Sequence, residues 1–143
     1  MTVETVAEYF LAKGKESDDI GLSNLKLQKL FYYAQGFHLA LFDKPLFKER
    51  IEAWTHGPVV PLMYHRYKSY GGGPIQVHSE HPDGLDTETT ELLEEVYEVF
   101  GQFSAWKLRD MTHQEPPWKD AEAEAAEISH GAMKTYFRTR IVK

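Results

Sequence analysis

One segment of the chain carries a hydrophobic pattern that predicts a buried α-helix. Beyond Ser23, large and small apolar residues recur at alternating spacings of three and four: Leu27, Leu30, Ala34, Phe37 and Leu41. This spacing places them on one stripe of a helix. Phe31 and His38 flank the stripe, so apolar or aromatic groups cover much of the circumference. We therefore predict a helix that begins at Ser23 or Asn24, either of which can cap it, ends near Leu41 and lies at the centre of the fold.

Helical spacing recurs in five other segments, most of which begin with a capping residue or a proline. They are residues 2–12, 58–69, 87–100, 104–112 and a final helix that Ser129 caps. In the second and third of these helices we expect a set of large side chains to face inward. The set is Val59, Leu62, Met63, Tyr67, Leu92, Leu93, Val96, Val99 and Phe100.

Two short segments, Arg50–Trp54 and Ile75–Val77, predict strands that can pair with each other. Pro116-Pro117-Trp118 predicts an extended or turned segment. The expected fold is mainly α. It is a compact bundle of about six helices around a central helix, with a small two- or three-stranded β element. A chain of 143 residues without a long linker predicts a single domain, residues 1–143.

Composition narrows the class of protein. The chain has no cysteine, which excludes disulfides, thiolate metal sites and a cysteine nucleophile. The start, Met1–Glu4, lacks the basic region and apolar core of a signal peptide. No stretch approaches the roughly 20 apolar residues of a membrane span. We therefore expect a cytoplasmic protein.

The charge of the chain is unevenly distributed. The net charge is −6, but residues 80–127 hold 14 acidic and 3 basic residues, a net of −11. Residues 1–79 carry a net of +1 and residues 128–143 a net of +4. The acidic middle disfavours a phosphate backbone and attracts a basic partner, unless it is simply the solvated face of a helix.

Motifs for catalysis and metal binding are weak. No HExxH helix or GxSxG turn occurs, and Ser104 and Ser129 are better explained as helix caps. His78 and His81 are too few to predict a metal site. We expect no cofactor, no metal, no catalytic residues and no enzyme. The alternative left open is a hydrolase that uses His113 with Asp110 or Asp120, and it requires a cleft that joins them.

His56-Gly57-Pro58 offers a different kind of site. A strand, a glycine turn and a helix that begins at Pro58 would expose backbone N–H groups to an anion or an acidic partner group. The alternative is a purely structural turn.

A second candidate face carries Lys26, Lys29 and Tyr33, away from the buried stripe of the central helix. Its basic and aromatic groups could suggest nucleic acid, but the domain is acidic and has no recognition-helix signature, so a solvated face is the first expectation and protein binding the second. The three tryptophans mostly suit the core, but any that is exposed beside Tyr or Arg would be an interface anchor.

The central segment from Ser23 to Gly36, SNLKLQKLFYYAQG, resembles the signature helix of the Panacea domain, the family of SocA-like antitoxins that also occurs in phage-associated proteins. Further matches follow in order along nearly the whole chain. They are Phe47, Glu52-Ala53-Trp54, Gly57-Pro58-Val59, Tyr64, Leu108, Thr112-His113, Pro117-Trp118 and Tyr136-Phe137.

The resemblance implies an antitoxin of a toxin–antitoxin pair, which neutralises a cognate toxin by direct binding. One branch of the family acts as an adaptor that delivers its toxin to an AAA+ protease. We predict partner contacts at Lys26, Lys29, Tyr33, Trp54 and His56. Lysine and histidine would supply charge, and the aromatic residues would supply buried area. The alternatives are a DNA-binding transcriptional autoregulator and a phage-associated regulatory protein.

Overall fold

The predicted central helix, α2 (Asn24–Phe42), is the element around which the other elements pack. The computed structural model describes residues 2–18, 21–77, 82 and 84–141. Ser23 caps α2 as expected, because its Oγ accepts a hydrogen bond from the Lys26 amide at 3.2 Å. Of the 19 residues of α2, 13 are buried, so nearly every side of the helix faces protein. Leu41 is an exception to the predicted stripe, since it is 48% exposed.

Along the described part of the chain, the helices and strands occur in the following order. They are α1 (Val3–Asp18), α2, β1 (Glu52–Trp54), β2 (Gly57–Val59), α3 (Pro61–Tyr67), α4 (Thr87–Phe100), α5 (Ala105–Thr112), α6 (Pro116–Ala121) and α7 (His130–Arg138). Single 3₁₀ turns follow α3 (Lys68–Tyr70) and α6 (Glu122–Glu124). The predicted class, mainly α with a small β element, is confirmed.

The β element is a hairpin rather than the predicted pairing with residues 75–77. β1 pairs antiparallel with β2, with Ala53 opposite Pro58. Gly57 has φ +106°, a conformation that other residues resist, so the chain reverses directly after Trp54. The predicted strand at 75–77 is wrong. Ile75 donates its amide to the Leu22 carbonyl instead, and Pro74 forms an isolated bridge with Ser23.

The outer edge of β1 is covered by residues 126–128. Ala53 donates its amide to the Ala126 carbonyl at 3.0 Å, and the Ile128 amide donates to the Ile51 carbonyl at 2.8 Å. The Trp118 indole adds a third hydrogen bond to this strand, because its Nε1 donates to the Trp54 carbonyl at 2.8 Å. The hairpin is therefore held firmly by later parts of the chain.

Prolines account for two further differences from the expected elements. Pro58 lies in β2, and α3 begins at Pro61 instead, where its missing N–H costs nothing. Pro116 and Pro117 likewise occupy the first turn of α6, which was predicted to be extended. The prolines thus start a short helix, because the first turn needs no intrahelical donors.

The inward faces of two helices are partly as predicted. Met63, Leu92, Leu93 and Val96 are buried, whereas Leu62 is 57% and Val99 is 45% exposed. In α3 the buried residue is Met63, and Leu62, its neighbour in the first turn, lies on the outer side. Helix α1 extends past its predicted end to Asp18, and the Leu22 side chain packs so closely on Gly14 that a β-carbon there would overlap it.

Helix α7 packs directly on α2. Ser129 caps α7 as predicted, accepting a hydrogen bond from the Ala132 amide at 3.0 Å. The Phe137 ring lies against Gly36 so closely that a β-carbon there would overlap it. Phe137 also contacts Tyr32 edge to face, with ring centroids 5.3 Å apart. A glycine in the middle of α2 therefore allows the last helix to reach the core.

Candidate partner-binding surface

Lys29, a predicted contact residue, lies inside the protein. It is 0% exposed, and its Nζ donates to the Pro58 carbonyl at 3.0 Å. Burial, together with the nearby positive charge of Arg109, lowers the pKa of Lys29 from 10.5 to about 7. The expectation that Lys29 lies on a solvated face is wrong. The hydrogen bond from Lys29 to Pro58 links α2 to strand β2 of the hairpin.

Tyr33, a second predicted contact residue, is also buried, at 1% exposed. Tyr32 and Tyr33 donate from their hydroxyls to the two carboxylate oxygens of Glu115, at 2.8 and 2.9 Å. Burial raises the pKa of Glu115, and the two hydrogen bonds oppose that rise. The Tyr33 ring stacks on Phe100 at 3.9 Å. These residues join α2 to the start of α6 and the end of α4.

Lys26 is half-buried and points to the connection between α4 and α5. Its Nζ donates to the Gly101 carbonyl at 2.6 Å. The three residues that were expected to share one face therefore have three different environments. The basic and aromatic patch that suggested nucleic acid does not form in the described structure.

Trp54 and His56, the remaining predicted residues, lie on the hairpin. Trp54 is half-buried, its Nε1 donates to Glu52 Oε1 at 2.9 Å, and its ring meets Tyr64 edge to face at 5.1 Å. His56 is exposed at the tip. Its Nδ1 accepts a hydrogen bond from Arg109 Nε at 3.2 Å. The hairpin thus presents both side chains at one edge of the molecule.

Helix α5 adds two residues that the sequence did not identify as a site. Trp106 is 57% exposed, and its ring lies 5.4 Å from that of His56. The guanidinium carbon of Arg109 lies 5.3 Å from the centre of the Trp106 ring. We call His56, Trp106 and Arg109 the hairpin cluster. Trp106 meets the condition stated from the sequence for an interface anchor, namely an exposed tryptophan beside an arginine.

A groove of about 540 Å³ opens beside the hairpin cluster. We call it the hairpin groove. It runs between the start of α2, the hairpin, the end of α3 and Trp106. Aromatic side chains from Trp54, Tyr64 and Trp106 line it, and Lys68 and His56 are the ionisable basic groups in its lining. No carboxylate belongs to the lining among the described residues.

The hydrolase alternative finds little geometric support. His113 stacks on Trp118 at 3.9 Å, and its Nε2 is buried without a hydrogen-bond partner among the described residues. Burial and the charge of Arg109 lower the pKa of His113. Asp110 pairs with Arg109 at 2.9 Å, and Asp120 is exposed. Within the described ranges no hydrogen bond joins His113 to either aspartate.

Two other expectations concern anions and metals. The predicted helix start at Pro58 is wrong, so Gly57 does not lie at a helix N-terminus that could bind an anion. His78 and His81 lie outside the described residues. Among the residues that are described, no group of three or more His, Asp or Glu side chains is arranged to hold a metal ion.

No helix in the described part of the chain is both long and apolar enough to cross a bilayer.

Comparison with known proteins places the chain in a family. The family described as "Antitoxin SocA-like, Panacea domain" matches residues 27–119, which include α2 from Leu27 onward, the hairpin and the whole hairpin cluster. The chain is 34% identical over 112 residues to Antitoxin SocA of Caulobacter vibrioides (strain NA1000 / CB15N). That match covers 70% of this chain and 60% of the relative, so the chain spans less than two thirds of the relative's length. No solved structure matches significantly. The chain belongs to the SocA-like antitoxin, Panacea domain family.

Proposed function

We propose that this protein is an antitoxin, which neutralises a toxin protein by binding it directly through the hairpin cluster and the hairpin groove. The observation that carries the proposal is the exposed Trp106 between His56 and Arg109, in a member of an antitoxin family. Tryptophan and arginine are the residue types that most often dominate the binding energy of protein interfaces.

The cluster is well suited to binding because it is already ordered. Arg109 is held by hydrogen bonds to His56 and Asp110, and it lies over the Trp106 ring. A partner that covers these side chains loses little conformational entropy in fixing them. Trp54 and His56 are proposed as direct contacts, together with Trp106 and Arg109. Lys29 and Tyr33 act indirectly, since they position the hairpin and the core beneath it.

Co-expression tests the proposal. The gene beside that of this protein is expressed alone and with the full chain, and growth is followed. We expect the neighbouring product to arrest growth and the wild-type chain to restore it. Trp106→Ala should restore growth poorly, whereas Lys119→Ala, an exposed change on α6, should act as wild type. A neighbouring product that is harmless alone, or that stays toxic beside the wild-type chain, contradicts the proposal.

Two modes of neutralisation give different toxin levels. An antitoxin that only blocks its toxin leaves the toxin abundant, whereas an adaptor for an AAA+ protease lowers its amount. Immunoblots of the toxin, with and without the host's AAA+ proteases, separate the two modes. A toxin that disappears only when both this chain and a protease are present identifies the adaptor mode.

A further inference from the structure

We infer that the hairpin groove binds an acidic, extended peptide segment that carries one large apolar side chain. This inference rests on the proposed function only in assigning that segment to the toxin. The chemistry of the groove itself follows from its charge, its aromatic lining and its internally paired floor.

The charge of the groove is opposite to that of the chain. The chain has 22 acidic and 16 basic residues, yet the described lining of the groove contains Lys68 and His56 and no carboxylate. Arg109 contacts the lining residues His56 and Trp106, and Asp110 pairs with it. Lys68 forms no ion pair among the described residues. A basic groove repels basic segments, which the acidic remainder of the surface attracts, and it favours acidic ones.

The aromatic lining provides a place for one apolar anchor. Trp106 is more than half exposed, and the half-buried rings of Trp54 and Tyr64 line the same groove. An exposed tryptophan contributes most to the binding energy when a partner's apolar side chain excludes water from it. The volume of about 540 Å³ lies within the roughly 300–1,000 Å³ that proteins use for compact ligands. It therefore fits a short stretch of chain with one large side chain.

The polar floor of the groove is already paired, so it is rigid and offers few groups to a ligand. Asn24 Nδ2 donates to the Tyr64 carbonyl at 3.1 Å, and Gln28 Nε2 donates to Asn24 Oδ1 at 2.9 Å. Gln28 Oε1 in turn accepts from the Val60 amide at 2.8 Å. Recognition of charge must therefore come mainly from Lys68, while His56, whose Nδ1 accepts from Arg109, can offer its second ring nitrogen as a hydrogen-bond donor.

Peptide binding to the full chain tests the inference. The probes are fluorescein-labelled pentapeptides with one central tryptophan flanked by aspartate and glutamate, by serine or by lysine, followed by fluorescence anisotropy. We expect the acidic peptide to bind best and the lysine peptide worst. Lys68→Glu should weaken the acidic peptide about tenfold, because it replaces an attraction with a repulsion. Trp106→Ala should weaken the acidic and serine peptides alike.

The matched control is Lys48→Glu, the same charge reversal on an exposed loop outside the groove, and it should leave peptide binding unchanged. Lys68 and Trp106 are both exposed, so thermal melting should show that all variants fold. Equal binding of the three peptides, or equal weakening by Lys68→Glu and Lys48→Glu, overturns the inference. Tighter binding of a single-stranded oligonucleotide that displaces the acidic peptide overturns it as well.

Toxin binding separates this inference from the proposed function. If the wild-type chain neutralises the toxin and Lys68→Glu does so equally well, the groove is not the acidic-segment site, while the antitoxin function stands. If the wild-type chain fails to neutralise the toxin, the antitoxin function fails, and the peptide ranking alone decides the chemistry of the groove. Loss of toxin binding in Lys68→Glu, but not in Lys48→Glu, supports both proposals.

Discussion

The middle of α2 and the hairpin cluster use similar residue types in opposite environments. Lys29 and Tyr33 are buried, and each is hydrogen-bonded to another part of the chain. In the hairpin cluster Trp106 and His56 are exposed and Arg109 is partly exposed. Helical spacing shows which residues share a face, but it does not show whether that face meets water. When a central helix is covered on nearly all sides, its polar face is an internal one.

The two regions should therefore respond differently to substitution. A buried polar group whose partner is removed costs the full penalty of its lost hydration. An exposed side chain costs little in stability and matters for what it binds. Changes beneath the surface should lower the free energy of unfolding, and changes in the hairpin cluster should weaken binding alone. Three experiments compare the regions, beginning with the largest expected effect.

Glu115→Ala should be the most damaging change. It leaves the hydroxyls of Tyr32 and Tyr33 buried without an acceptor, and we expect the free energy of unfolding to fall by about 4 kcal/mol. Urea denaturation followed by circular dichroism measures the loss. Glu115→Gln keeps one carbonyl acceptor and should lose about half as much. Equal stability of Glu115→Ala and wild type would show that this network does not support the core.

Lys29→Met should change the dependence of stability on pH. The lysine titrates near pH 7 when folded and near 10.5 when unfolded, so between these values the unfolded chain binds a proton that the folded chain lacks. The free energy of unfolding of the wild type should therefore rise with pH, by about 2 kcal/mol from pH 7 to pH 9. Lys29→Met should remove that rise.

The pH window avoids the other shifted groups. Burial lowers the pKa of His113 below its usual 6.5, and burial raises the pKa of Tyr32 and Tyr33 above 10. Methionine also leaves the Pro58 carbonyl without its donor, so the slope with pH is the readout, not the absolute stability. Parallel pH curves for Lys29→Met and wild type would contradict a buried, largely neutral lysine.

Trp106→Ala should have the smallest effect on stability, within about 0.5 kcal/mol of wild type, because its side chain is mostly exposed. The same urea titration measures it. A loss above about 2 kcal/mol would place Trp106 among the structural residues and would weaken its assignment to a binding surface. An unchanged stability with lost toxin binding would sharpen the contrast with Glu115.

Local chemistry could be predicted from the sequence more reliably than tertiary placement. The caps at Ser23, Ser104 and Ser129 are confirmed, because a cap depends only on residues within one turn. The strand at 75–77 and the solvated face of α2 were wrong, because both depend on elements distant in sequence. The prolines of α6 were misassigned because the same residues that break a helix also begin one.

The candidate site was only partly visible in the sequence. Trp54 and His56 were named beforehand, and both line the hairpin groove, although their contact with a partner stays a prediction. In α5 Leu108 is buried, and Trp106 does not share its face of the helix. A large aromatic residue on the outer face of a helix was the signal in the sequence that could have identified Trp106 as a site residue. Lys68 gave no signal in the sequence, since it lies in a single turn after α3 and belongs to no motif.

The covering of the outer edge of β1 by residues 126–128 restricts how a partner can attach. A strand with free backbone groups can capture almost any extended chain, because backbone hydrogen bonds are common to all sequences. That route is closed along β1, where Ala53 and Ile51 already bond to Ala126 and Ile128. Selectivity along β1 must then depend on side chains, and under the proposed function a toxin would escape recognition there by exchanging a few residues without altering its backbone.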